Sequence, residues 1–123
     1  MAWNLDSNRP IYVQLAEQVQ RDIISGLYQP GTKLPSVREL ASQAKVNPNT
    51  MQKALTELEH SGLVYSQRTS GRFITEDKEM IETLKEQLAS SQIQEFLEKM
   101  SCMGFQPQDT LHLIEKILKE GQS

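Results

Sequence analysis

The sequence has few of the features that mark a secreted or membrane protein. Its 123 residues include one cysteine, Cys102, so no disulfide can form within the chain. No run of about 18 apolar residues occurs, so no membrane-spanning helix is expected. The first six residues lack the basic and apolar regions of a secretory signal peptide. We therefore expect a cytoplasmic protein with no membrane partner.

Groups that carry catalysis or bind cofactors are also scarce. The two histidines, His60 and His112, each lack a second ligand three or four residues away, so no metal site is predicted. No paired carboxylates, nucleophile-and-base set or phosphate-binding loop is visible. Cys102 stands among methionines near a predicted helix end and is interpreted as a packed thiol. We expect no enzymatic activity and no cofactor.

Charge is divided unevenly along the chain. Residues 1–75 contain eight Lys and Arg against six Asp and Glu, a net charge of +2. Residues 76–123 contain five Lys against ten Asp and Glu, a net charge of −5, which gives −3 overall. A mildly basic first part and an acidic second part suggest that the two have different partners.

The first part begins with the pattern of an amphipathic helix. Apolar residues recur on one helical face between Tyr12 and Ile23, which predicts a first helix over residues 10–25. A Pro-Gly turn at residues 30–31 follows, since proline presets φ for a turn and glycine accepts a positive φ.

Two short helices are predicted next. Ser36 and Glu39 have the spacing of a capping box, which predicts that the second helix starts at Ser36. Asn47 and Pro48 suit the start of a third helix only a few residues after the second, and Gly62 suits its end. Two short helices with so brief a connection are typical of a helix-turn-helix.

A basic β-hairpin completes the first part. Residues 63–65 and 73–75 are strand candidates, and the polar connection between them contains Arg68 and Arg72. Such a hairpin resembles the wing of a winged helix and must pack on the helices to be stable. The predicted fold is mostly α with a small β-hairpin, with a winged helix-turn-helix over residues 1–75 as the DNA-binding domain.

Residues 76–123 are predicted to form a two-helix tail that makes a homodimer. Its apolar stripes belong to helices that end near Gly104 and restart at Pro107, and they have little to pack against except each other and a partner. A pocket for a small-molecule effector of unknown identity is the alternative reading of the same stripes. The predicted dimerisation residues are Ile81, Leu84, Leu88, Ile93, Phe96, Leu97, Met100, Leu111, Ile114, Ile117 and Leu118.

The N-terminal part of the third helix suits base recognition. The second helix of a helix-turn-helix enters the major groove by its N-terminal residues. Here it offers Asn49 and Gln52, whose amides can pair with adenine, and Lys53, which can reach a guanine edge or a phosphate. Thr50 can bond a phosphate or touch a thymine methyl group. Asn47 is interpreted as a helix cap alone, and Gln52 has a plain surface role as its alternative.

The residues from Pro10 to Ile74 resemble the GntR superfamily of bacterial regulators. The matching motifs are Pro-Ile-Tyr-Val-Gln-Leu from residue 10, Ile-Ser-Gly-Leu-Tyr-Gln-Pro-Gly from residue 24 and Lys-Leu-Pro-Ser-Val-Arg-Glu-Leu-Ala from residue 33. Val-Asn-Pro-Asn-Thr from residue 46 and the hairpin continue the match. The short two-helix tail resembles the YtrA-type subfamily. That resemblance implies a homodimeric repressor of its own operon or of transporter genes, bound to an inverted-repeat operator in double-stranded DNA.

The resemblance adds further candidate DNA contacts. It places Arg38 against DNA, where a guanidinium suits guanine or phosphate. Ser36 can also contact a phosphate, although its cap role already explains it. The wing is expected to reach the minor groove or its phosphates. The family often has Arg-Gly-x-Gly-Thr-Phe-Val there, whereas this chain has Thr at the first Gly position and Arg at the Thr position. The predicted wing contacts are Arg68, Ser70, Gly71 and Arg72.

A winged helix that binds only proteins is the alternative function. A protein interface would prefer apolar or aromatic anchors on the third helix and the hairpin. The predicted face of the third helix instead carries Asn49, Thr50 and Lys53, and the hairpin is basic. The sequence therefore favours DNA as the partner.

Overall fold

The computed structural model describes residues 3–121 and confirms a mostly helical winged helix-turn-helix. The chain divides into two compact units, the first ending at Leu84 and the second beginning at Lys85; we call them the head and the tail. None of the described helices has the length and apolar character needed to cross a membrane. The elements are α1 (Ile11–Ile24), α2 (Val37–Ala44), α3 (Pro48–Ser61), β1 (Val64–Gln67), β2 (Gly71–Ile74), α4 (Lys78–Cys102) and α5 (Pro107–Glu120).

The core of the head lies between α1, α2, α3 and the hairpin. Leu15, Val19 and Ile23 lie on one face of α1 because they are four residues apart, and all three are buried. Burial of one such aliphatic side chain contributes about 1.5–3 kcal/mol. The other buried apolar residues of this core are Leu34, Leu40, Ala41, Ala44, Met51, Ala54, Leu55, Leu58, Leu63, Val64, Ile74 and Ile81.

Side chains cap the two helices of the helix-turn-helix where the sequence predicts. The Oγ atom of Ser36 accepts a hydrogen bond from the Glu39 amide at 3.1 Å. Only this half of the predicted capping box forms among the described contacts, since the Glu39 side chain does not return to the Ser36 amide. The Oδ1 atom of Asn47 accepts from the Asn49 amide at 2.7 Å, which satisfies one free amide at the start of α3.

The turn between α2 and α3 depends on a left-handed residue. Lys45 has φ 58° and ψ 48°, and it is the only non-glycine residue with positive φ in the described part of the chain. This conformation lets the Val46 amide return to the Ala41 carbonyl at 3.0 Å, which closes the end of α2. A lysine pays a steric cost there, because its Cβ approaches the carbonyl oxygen.

In the wing, residues 64–74, the strand β2 has a backbone neighbour on each side. β1 and β2 are antiparallel, with Val64 opposite Ile74 and Gln67 opposite Gly71. On the other side of β2, the Leu34 amide donates to the Arg72 carbonyl at 2.9 Å. The strands lie closer to the tip than the predicted ranges 63–65 and 73–75, because the backbone ladder continues through polar residues that an apolar pattern does not mark.

The head extends beyond the predicted boundary at residue 75. Asp77 caps α4, since its Oδ1 atom accepts from the Met80 amide at 3.1 Å. Ile81 is then buried in the core, and Met80 and Leu84 pack against it. Of the predicted dimerisation residues, Ile81 therefore belongs to the head's own core, and Leu84 is half-buried against that core. The reason is that the apolar side chains in the first two turns of α4 pack into or against the core of the head.

The tail has a small core of its own. α4 ends where the Phe105 amide donates to the Met100 carbonyl at 3.0 Å, with Gly104 at φ 92° between them. α5 begins where Asp109 accepts a hydrogen bond from the Gln106 amide at 3.0 Å. Met100 is buried within this unit, so the structure places this predicted interface residue in the tail's interior.

The strain at Lys45 yields a stability prediction. Replacing Lys45 by glycine removes the Cβ clash, so the free energy of unfolding should rise by about 1 kcal/mol. The measurement is urea denaturation followed by circular dichroism. The matched control is Gln43→Gly, two residues earlier inside α2 and equally exposed. That change should lower the free energy of unfolding by about 0.5–1 kcal/mol. Equal destabilisation by both substitutions would contradict the prediction.

Candidate nucleic-acid interface

One face of α3 is buried and the other is polar and exposed. Met51, Ala54 and Leu55 are completely buried in the head's core. Because an α-helix has 3.6 residues per turn, the residues on the opposite side of α3 from these three point outward. Asn49, Gln52 and Lys53 are exposed there, and Thr50 is half-buried, so the structure brings the four predicted recognition residues to the first turns of one helix.

Lys53 is held by an aromatic ring of α1. Its Nζ atom lies 4.0 Å from the centroid of the Tyr12 ring, which is a cation–π contact. Tyr12 is half-buried and packs against the core, so the contact fixes the lysine's direction. The sequence predicted Lys53 as a DNA contact but did not predict this partner, because the two residues are far apart in the chain.

The second helix contributes an exposed arginine, Arg38. Arg38 is on the first turn of α2, and its exposed side chain makes no hydrogen bond or ion pair with any described residue. Ser36 is exposed immediately before α2, and its Oγ atom is used by the cap. Its hydroxyl proton is still available for a phosphate oxygen.

The tip of the wing is exposed and tightly turned. The Ser70 amide donates to the Gln67 carbonyl at 3.2 Å, and Gly71 has φ 104°, which favours glycine at this position. Arg68, Ser70 and Gly71 are exposed. The turn therefore forms although Thr69 stands where the family often has glycine, and it presents Arg68 at the tip.

Arg72 is placed differently from Arg68. Its Nε atom donates to Oε1 of Glu59 at 2.5 Å, and its side chain is only 17% exposed. The same Glu59 oxygen accepts a hydrogen bond from the Ser66 hydroxyl at 2.6 Å. Arg72, predicted as a wing contact to DNA, therefore lies in an ion pair with α3. A sign of this was the departure from the family pattern, which puts Arg72 where a small residue is usual.

Hydrogen bonds make the Glu59 carboxylate more acidic than usual. The Ser66 hydroxyl is the largest cause that lowers the pKa of Glu59 below 4.5, and the Arg72 guanidinium lowers it further. Partial burial opposes both effects. Glu59 was missed from the sequence because nothing local relates it to residues in the hairpin.

Lys33 is a second cation that sequence reasoning did not place at the site. It pairs with Phe73 as an isolated bridge beside β2, and its side chain lies along the wing. A Cβ added to Gly71 would meet the Lys33 Cε atom at 3.1 Å. The exposed Lys33 thus adds positive charge next to the wing tip.

The model of the family "Bacterial regulatory proteins, gntR family" matches residues 11–74, which span α1 to the end of the wing. The chain belongs to the GntR family. It is 38% identical over 115 residues to the Bacillus subtilis regulator YhcF, covering 94% of this chain and 95% of that protein. It is 45% identical over 71 residues to the Bacillus subtilis repressor YtrA, covering 58% of this chain and 55% of YtrA. These similarities confirm the predicted family and its YtrA-type character.

Solved structures of GntR regulators share the fold. A GntR family regulator from Listeria monocytogenes superposes with a TM-score of 0.84 at 38% identity, covering 91% of this chain and 98% of that one. The DNA-binding domain of AraR in complex with operator ORE1 superposes with a TM-score of 0.53 at 32% identity, covering 61% and 94%. The GntR fold thus occurs bound to DNA in a relative of this chain's head.

The pKa of Glu59 yields a prediction about pH. A lowered folded-state pKa stabilises the fold above the unfolded-state value near 4.5, and that stability is lost as the pH falls through the folded-state pKa. Glu59→Gln removes the charge, so this variant should melt below the wild type at pH 7. The gap should close as the pH falls from the unfolded-state value near 4.5 through the lower folded-state pKa.

Thermal melts across this pH range measure the effect. Glu57→Gln, an exposed position on the same helix, is the matched control and should melt with the wild-type pH dependence. A gap between Glu59→Gln and the wild type that is constant with pH would show that the carboxylate's charge does not stabilise the wing.

Proposed function

We propose that this GntR regulator is a homodimeric repressor that binds an inverted-repeat operator in double-stranded DNA. The observation that carries the proposal is the exposed polar face of α3, with Asn49, Gln52 and Lys53 outward and the opposite face completely buried. A relative that this chain resembles, YtrA, is named as a repressor, and the AraR domain is described in complex with an operator. Both descriptions support the proposal.

The proposed recognition uses the chemistry of each exposed group. The amides of Asn49 and Gln52 offer a donor and an acceptor together, which matches adenine in the major groove. Lys53, directed by Tyr12, supplies a cation for a guanine edge or a phosphate. Arg38 has no competing partner among the described residues and can make a bidentate contact to guanine or phosphate. The outward face of α3 has no aromatic residue, which disfavours the alternative of a protein-binding winged helix.

The tail supports the proposed homodimer because it leaves much of its apolar surface exposed. Leu111, Ile114 and Leu118 recur at helical spacing on α5, and each is at least 37% exposed. Exposed apolar residues that cluster on one face usually mark an interaction surface. The other large apolar residues exposed in the tail are Ile93, Phe96, Met103 and Ile117. Six of these seven are among the predicted dimerisation residues, and Leu88 and Leu97 of that set are half-buried.

A symmetric dimer explains an inverted-repeat operator. Two heads related by a twofold axis place their recognition helices in successive major grooves, about 34 Å apart. The regulated genes expected from the family resemblance are the protein's own operon or transporter genes. Regulation by a small molecule bound to the tail stays a prediction.

The first experiment is a gel-shift titration against the DNA upstream of the protein's own gene, at two salt concentrations. Wild-type protein should shift this DNA, with an affinity that falls steeply with salt. Arg38→Ala should weaken binding by about 1–3 kcal/mol if Arg38 contacts a base. The matched control is Arg21→Ala, an exposed arginine on the last turn of α1 with the same change of charge. Arg21→Ala should bind as the wild type does; equal affinities for all three proteins would remove Arg38 from the site.

The oligomeric state tests the proposed role of the tail. Ile117→Glu puts a charge on the exposed apolar face of α5, so it should convert the dimer to a monomer because burying an unpaired charge is costly. Sedimentation equilibrium gives the mass of each protein. Gln108→Glu, exposed on the same helix and with the same change of charge, should remain dimeric. A wild-type protein that sediments as a monomer would reject the homodimer.

A further inference from the structure

A single carboxylate oxygen joins the end of α3 to both strands of the wing. Glu59 lies in the last turn of α3, and its Oε1 atom accepts from Ser66 on β1 at 2.6 Å and from Arg72 on β2 at 2.5 Å. Ser66 and Arg72 are directly opposite each other in the hairpin register. Glu59 therefore contacts both strands at the same position of the hairpin register and connects that position to α3.

This contact compensates the charge of Arg72. A cation contributes to phosphate binding when it replaces the condensed counterions of DNA. The charge of Arg72 is already matched by the Glu59 carboxylate, whose pKa is held below its usual value. Only 17% of the Arg72 side chain is exposed, and its Nε–H is used. Arg68, by contrast, is exposed at the wing tip, and its side chain makes no hydrogen bond or ion pair with any described residue.

We propose that Glu59, Ser66 and Arg72 position the wing and that Arg72 does not contact DNA; Arg68 supplies the wing's phosphate contact. This inference rests on the proposed binding of DNA. A two-stranded hairpin is marginal by itself, so its direction depends on what holds it to the helices. Arg72 occupies the position where the family often has threonine, and in this chain its longer side chain reaches back to α3.

The first test compares salt dependence. Arg68→Gln and Arg72→Gln remove the same charge from the same hairpin, so each is the matched control of the other. Loss of a phosphate contact reduces the slope of log affinity against log salt by about 1. Arg68→Gln should show that reduction. Arg72→Gln should bind several-fold more weakly with the wild-type slope, because the wing is less well placed but no phosphate contact is lost.

The second test is a charge exchange. Arg72→Glu alone should bind DNA poorly, since two carboxylates then face each other beneath the wing. Adding Glu59→Arg restores an ion pair of opposite polarity and should recover most of the wild-type affinity. Thermal melts establish that each variant is folded. If Arg72 contacts a phosphate, the double variant should bind as poorly as Arg72→Glu alone. The substituted carboxylate would then repel the DNA backbone whichever residue stands at position 59.

The outcomes separate this inference from the proposed function. If the wild-type protein shows no salt-dependent binding to duplex DNA, the proposed function fails before any variant is compared. If the wild type binds but Arg72→Gln loses about one unit of slope, Arg72 is a DNA contact and the inference is overturned. A charge-exchange variant that is folded but binds no better than Arg72→Glu would overturn it as well.

Discussion

The one-sided burial of α3 is the constraint on which the rest of the head depends. Met51, Ala54, Leu55 and Leu58 are buried in the core, where α3 packs against α1, α2 and β1. Rotating α3 would expose these side chains at a cost of several kcal/mol, since each of the Met and Leu side chains contributes about 1.5–3 kcal/mol when buried. The orientation of the polar face is therefore determined by apolar packing, and the exposed residues of that face need make no contribution to stability. This separation leaves their identities free to change without loss of core packing.

The basic side chains near this face differ in how far contacts within the protein compensate their charge. Tyr12 directs Lys53 without removing its charge, because a ring face attracts a cation and remains neutral. Glu59 instead neutralises Arg72. Positive charge at the wing is thus concentrated at exposed positions, Arg68 and the neighbouring Lys33. A count of the basic residues in the hairpin would include Arg72 and so overestimate the uncompensated positive charge of the wing.

Local patterns predicted the helices of the head well because helices are determined by nearby residues. The spacing of apolar residues gave α1, and Asn47 caps α3 through the predicted hydrogen bond. Contacts between distant residues were not predictable in this way. The ion pair of Glu59 with Arg72 and the burial of Ile81 depend on how elements meet in space. The predicted strands lay too far from the tip because backbone pairing continues where the apolar pattern stops.

The apolar residues of α4 form one pattern in the sequence but differ in where they are buried. Its apolar residues look alike in sequence, yet Ile81 is buried in the head, Met100 is buried in the tail, and Phe96 is 43% exposed. Periodicity shows that a face is apolar but not what covers it. Within the tail, two helices bury Met100 and Thr110 between them and leave the remaining apolar side chains exposed. Two helices alone enclose too small a core to bury those side chains, and the homodimer we propose would cover them with a second copy of the chain.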